Sequence, residues 1–171
     1  MILAARAFFH EIDRRLEQPQ PLHLVGEGAL VLAYGAGQAS CVLDVLPGEA
    51  PSWALAGSAL ERKHGLCLRP GAGTGLPPDW RTRCAQTALG RFQRLQVKVP
   101  SKEDLLLSKL QRLSDKDRLD ISFLAGGAID RLELIRRFRA LRRQHRGDLR
   151  ILDRSFNFVL KEHFNLGPFR F

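Results

Sequence analysis

Apolar residues at Ile2, Leu3, Ala5, Phe9, Ile12 and Leu16 recur near helical period, with charged residues between them. That pattern predicts an amphipathic helix over 2–17, ended by Pro19 and Pro21. Leu22 to Val25 is a short apolar run before a glycine, which predicts a buried strand. Gly28 to Tyr34 predicts a short buried helix, and Cys41 to Leu46 a second strand, apolar except for Asp44. Trp53 to His64 reads as a helix ended by Gly65, and Leu66 to Leu68 as a third strand. Residues 70–78 are rich in Gly and Pro and predict a loop. Phe92, Leu95, Val97 and Val99 place a further strand within 91–99. Ser101, with Asp104 three residues on, has the form of a helix-opening cap, and Leu105, Leu106, Leu110 and Leu113 form that helix's apolar side. Helices then follow over 115–125, about 128–146 and about 151–164.

This order predicts an α+β fold: an α/β-like N-terminal half, with a mixed sheet flanked by helices, followed by a helical C-terminal part. The expected organisation is one domain over 1–171, with an α/β core at 20–99 and a helical part at 100–171. The longest uncharged stretch, Gly28 to Leu43, is shorter than the roughly 18 apolar residues that span a bilayer. No membrane association is expected. Charges at helical spacing within the first sixteen residues argue against a secretory leader. The three cysteines, Cys41, Cys67 and Cys84, form no disulfide pattern, so a reducing cytoplasm is the expected location.

Several partial motifs carry little chemistry. Gly26-Glu27-Gly28 follows a strand, but the third glycine of a dinucleotide fingerprint is replaced by Val31. The loop Pro70-Gly71-Ala72-Gly73-Thr74-Gly75 lacks the Lys-Ser/Thr of a phosphate-binding loop. His64, Cys67 and Cys84 are too scattered for a structural zinc site. No serine sits in a nucleophile turn.

The stretch from Leu24 to Leu46 is more specific. It holds Gly26, Gly28, Ala29 and Leu30 after a strand, then Ser40, then Asp44 on the next strand. Residues 100–124 add Lys109 and the block Lys116-Asp117-x-x-Asp120. Together these resemble the nucleotidyltransferase-like proteins, in particular relatives of the AbiEii toxins. The resemblance covers about residues 20–125. It implies that Asp44 binds Mg²⁺, that Lys109 contacts phosphate, and that Gly26, Gly28, Ser40, Lys116, Asp117 and Asp120 line the nucleotide site. In that chemistry two carboxylates on one strand face hold Mg²⁺ ions, which bridge the triphosphate and activate an attacking hydroxyl. The family's Asp-x-Asp is degraded here, with Val42 at its first position. Glu27 stands where Ser or Gly is usual, and Gln38 replaces the loop arginine. Glu27 is the nearest substitute for the lost carboxylate. Each residue also has a plain structural role open to it. Asp44 can cap the Leu46-Pro47-Gly48 turn, Lys109 can be a solvated helix residue, and Asp117 and Asp120 can favour a helix N-terminus.

Charge adds one more feature. The chain has 27 Lys and Arg against 18 acids, a formal net charge of +9. Between Arg131 and Arg154 there are nine arginines and three acids, a net of +6. On a helix Arg139, Arg142, Arg143 and Arg146 fall on one flank, beside the core face of Leu134, Ile135, Phe138 and Leu141. A solvated helix normally mixes signs, so this imbalance points to phosphate as a partner. Two classes of function follow. One is an enzyme that uses Mg²⁺ and a nucleoside triphosphate to transfer a nucleotide to RNA or another acceptor, as in toxin–antitoxin pairs, where an antitoxin is the protein partner. The other is a catalytically degraded member of that fold that binds RNA, single-stranded DNA or a protein through its arginine-rich helices.

Overall fold

The computed structural model describes residues 2–36, 41–71, 75–87 and 89–171. The described residues are mixed α and β, in two compact units: Met1–Gly73 with Cys84–Pro100, and Thr74–Arg83 with Ser101–Phe171. Among them no helix is long and apolar enough to cross a membrane.

The first unit opens with α1 (Ile2–Arg15), which buries Ala5, Phe8, Phe9 and Ile12. Its fifth buried residue is an acid. Asp13 accepts backbone N–H bonds from Gln93, Arg94 and Leu95 at 3.1, 2.7 and 2.8 Å. Burial pushes its carboxyl up, but the three donors outweigh this and hold it below its ordinary value. The helix is thereby pinned to the backbone of residues 93–95. Strand β1 (Gln20–His23) leads into α2 (Gly26–Tyr34), then β2 (Val42–Val45), α3 (Ala59–His64) and β3 (Cys67–Pro70). Two short strands close the unit, β4 (Ala85–Gln86) and β5 (Leu95–Val99).

The strands form two small sheets where the pattern predicted one. β1 pairs parallel with β5, from Gln20 opposite Leu95 to His23 opposite Lys98, and β4 adds antiparallel to the far end of β5. β2 pairs parallel with β3, with Asp44 opposite Arg69. The two sheets meet at a single bridge, Leu24 to Val45, with Val25 N–H donating to the Asp44 carbonyl at 2.8 Å. The chain turns into α2 at Gly26, so only Leu24 and Val25 remain to pair with β2. The helix expected over 53–64 also divides. A 3₁₀ turn at Ser52–Ala54 precedes α3, whose N-cap Ser58 accepts the Glu61 N–H at 3.1 Å.

The second unit is helical: α4 (Lys102–Ser108), α5 (Asp115–Ala125), α6 (Arg131–Gln144) and α7 (Leu149–Phe164). Each start has a side-chain cap, from Ser101, Ser114, Asp130 and Asp148. Leu134, Phe138 and Leu141 of α6 are buried at helical spacing, as are Leu152, Phe156 and Val159 of α7. Phe138 and Phe156 stack with centroids 3.8 Å apart. Such a buried aromatic pair contributes several kcal/mol, since deleting one ring costs about 3–5 kcal/mol.

Candidate functional site

In the first unit the local geometry is set by the exit of β1. Val25 is extended and caps α2, and Gly26 takes φ +63, a left-handed conformation that β-carbon-bearing residues rarely adopt. A β-carbon at Gly26 would sit 3.5 Å from Asp44 Oδ2. The glycine turn therefore lies directly against the Asp44 carboxylate. Gly28 is buried on Leu43, with room for a β-carbon only 3.0 Å from that side chain. From the other side Gly71 approaches so closely that a β-carbon there would meet Asp44 Cβ at 2.9 Å. Glu27 lies in the first turn of α2 and is half-buried. Ser40 and Gln38 lie outside the described residues.

The Asp44 carboxylate is engaged by a residue the sequence reading did not single out. Arg69, in register on β3, donates Nε to Oδ1 at 2.7 Å and Nη2 to Oδ2 at 3.1 Å. This is the two-pronged fork that a guanidinium makes with a carboxylate. The neighbouring Asp44 raises the Arg69 pKa, while the Arg69 side chain itself stays 61% exposed. Val42, two residues back on the same strand face, brings no oxygen donor. Among the described residues no group of three or more His, Cys, Asp or Glu could hold a metal ion. Among the described residues, β2 thus supplies one of the two strand carboxylates that a pair of Mg²⁺ ions would use, since each ion needs several oxygen ligands.

In the second unit Lys109 caps α4 at its C-terminal end, and its Nζ lies 2.7 Å from Asp120 and 3.7 Å from Asp117. All three residues are buried. Asp117 also accepts a fork from Arg112 at 2.7 and 2.8 Å and closes a capping box with Ser114. Burial pushes the Asp117 carboxyl up, and the Arg112 and Ser114 donors drive it well below the carboxylate range. The structure thus brings Lys109, Asp117 and Asp120 together as one ion-pair cluster between α4 and α5. Lys116 is exposed on α5. A second buried acid, Asp104, is held by Arg83 at 3.0 Å and Arg137 at 3.2 Å.

Apart from Arg131, whose guanidinium carbon lies 5.7 Å from the Phe164 ring centroid, the arginines of α6 divide into two groups. Arg142 forks onto Asp153 of α7 at 2.7 and 3.0 Å, and Arg136 and Arg137 both bond Glu133. Arg139, Arg143 and, just past the helix, Arg146 are exposed. Elsewhere, a groove of about 510 Å³ runs along β5, lined by Arg91, Phe92 and Lys98 among others. None of the residues expected at the nucleotide site lines it.

A family model described as "Nucleotidyltransferase of unknown function (DUF6036)" matches residues 3–136. No curated protein and no solved structure matches the chain.

Proposed function

The chain belongs to this family of nucleotidyltransferases of unknown function, and from that premise we propose that it keeps the fold as a binding module for single-stranded RNA or DNA, with metal-dependent transfer lost. The observation that carries the reading is the Arg69 fork on Asp44 beside Val42. Where transfer chemistry needs two carboxylates around a divalent ion, this chain supplies one carboxylate already matched by its own cation. That arrangement balances the charge at the β2 end without any ion. Among the described residues, β2 offers one acid, Asp44, where the family's pattern has two.

The ligand class follows from charge. Glu133 and Asp153 engage Arg136, Arg137 and Arg142, and Arg131 lies over the Phe164 ring, while Arg139, Arg143 and Arg146 are exposed on and beyond α6. Arginine presents a fork that matches phosphate oxygens, and contact with phosphate releases counterions from the strand. A second reading, Mg²⁺-dependent transfer of a nucleotide to an acceptor, rests on the contact of Asp44 with the Gly26 turn. An antitoxin-like protein partner belongs with that second reading.

One experiment separates the two. The protein is mixed with fluorescein-labelled single-stranded RNA in EDTA and in Mg²⁺, with radiolabelled nucleoside triphosphates present. Anisotropy that rises equally in both buffers, with no label incorporated, is the expected result. Label incorporated only in Mg²⁺, and lost in Asp44→Asn, would establish transfer and defeat the proposal.

A further inference from the structure

Beyond the arginines of α6, the second unit exposes a different surface on α5 and α7, which pack against each other. Leu119 and Phe123 of α5 are 72% and 49% exposed, and Ile151 and Phe158 of α7 are 54% and 38% exposed. They stand at i,i+4 and i,i+7 spacing, so each pair lies along one face of its helix. Arg154 falls between Ile151 and Phe158 on the same stripe. Arg118 of α5 lies over the Phe158 ring, its guanidinium carbon 4.9 Å from the centroid. The exposed charged residues of these two helices are five cations (Lys116, Arg118, Arg150, Arg154, Lys161) and two acids (Asp115, Glu162).

We infer that α5 and α7 form a stacking platform for the bases of a single strand, with Phe123 and Phe158 as the ring surfaces and Arg118 and Arg154 beside them for phosphate. The inference rests on the nucleic-acid reading above and adds a second contact surface to it. Aromatic rings interleaved with cations are what a sequence-tolerant single-strand site uses, because every base has a π face and every linkage a phosphate. Arg118 lies against the Phe158 ring, and the 38% of Phe158 that is exposed is what a base would meet. A second copy of this chain is disfavoured as the occupant, since both surfaces would carry the same positive charge.

The test uses the full chain and a labelled oligo-dT or oligo-U at fixed salt. The variants are Phe123→Leu/Phe158→Leu, which keeps the surface apolar, and Phe158→Trp, which keeps a ring. Both sites are exposed, so folding should be unaffected. The double Leu variant, which loses two stacking rings, is expected to bind at least about thirtyfold more weakly, with its salt slope unchanged. Phe158→Trp is expected to bind as the wild type, with its added indole emission quenched by the oligonucleotide. If the double Leu variant binds normally while Arg139→Gln/Arg143→Gln/Arg146→Gln does not, the platform is refuted and the nucleic-acid reading stands. If the surface instead holds polyglutamate, and Leu serves as well as Phe, it is a docking face for an acidic protein and the inference is overturned. If the wild type binds no oligonucleotide at all, the broader reading fails and takes this inference with it.

Discussion

Lys109→Met is the substitution that most sharply probes the buried cluster of the second unit. The Lys109 ammonium sits 2.7 Å from Asp120, whose relative exposure is 4%. Removing it leaves Asp120 buried without its cation, while Asp117 keeps the Arg112 fork and Ser114. Breaking a buried ion pair from one side costs about 3–5 kcal/mol, because the remaining charge stays desolvated. That is about a fifth or more of the stability of an ordinary domain. Replacing both partners, as Lys109→Met/Asp120→Leu, removes the stranded charge and should recover most of the loss. Urea unfolding followed by far-UV circular dichroism gives the three free energies, and the double-mutant cycle should show coupling of roughly 2 kcal/mol or more. If Lys109→Met costs under about 1 kcal/mol, or the two changes simply add, the cluster is not holding α4 to α5. Lys109 would then be available for a ligand.

Glu133 is held down to about 2 by hydrogen bonds from Arg136 and Arg137, against an ordinary value of 4.5. Its contribution is present above pH 4.5 and lost as pH falls through about 2, so Glu133→Gln should be less stable at pH 7 and lose less helical signal between pH 5 and pH 2; superimposable acid titrations would contradict this. Burial, with Glu61 beside it, pushes the Cys67 thiol up to about 11, whereas Cys41 is exposed. Ellman's reagent at pH 8 should therefore modify Cys41 far faster than Cys67, and mass spectrometry of the labelled peptides reads the order. Val42→Asp alone should leave Mg²⁺ affinity weak, because Arg69 still occupies Asp44. Adding Arg69→Ala should create measurable binding by calorimetry, and tight binding by the single variant would show that Arg69 does not block the site.

The helices were legible because their signals are local. Ser101 caps α4, and the spacing of Leu134, Phe138 and Leu141 matches the buried face of α6. The end of α3 at Gly65 was equally plain, but its start was not. Ser58, a competent cap, lay hidden inside a continuous helical pattern from Trp53. The two-residue strand β4 has too little sequence to carry an alternation. The division into two sheets depends on how few residues remain between β1 and the Gly26 turn, which is a matter of pairing rather than of pattern. The placement of Gly26 against Asp44 could be expected from the resemblance. Arg69 could not, because its meeting with Asp44 depends on parallel register between β2 and β3, and nothing in either strand alone encodes that register. For the same reason the sequence alone places Arg142 in the cationic flank, although Asp153 of α7 lies opposite it.

The salt dependence of single-strand binding tests the central claim most directly. Anisotropy titrations with a labelled RNA, in EDTA and over a series of salt concentrations, give the slope of log K against log salt for the wild type and for Arg139→Gln/Arg143→Gln/Arg146→Gln. Each phosphate contact on a single strand contributes about −0.7 to that slope. The triple variant should therefore be shallower by roughly 2 if all three arginines meet phosphate. The core face of α6 is untouched, so its fold and thermal stability should be retained. An unchanged slope, or wild-type binding that appears only when Mg²⁺ is supplied, would contradict the account.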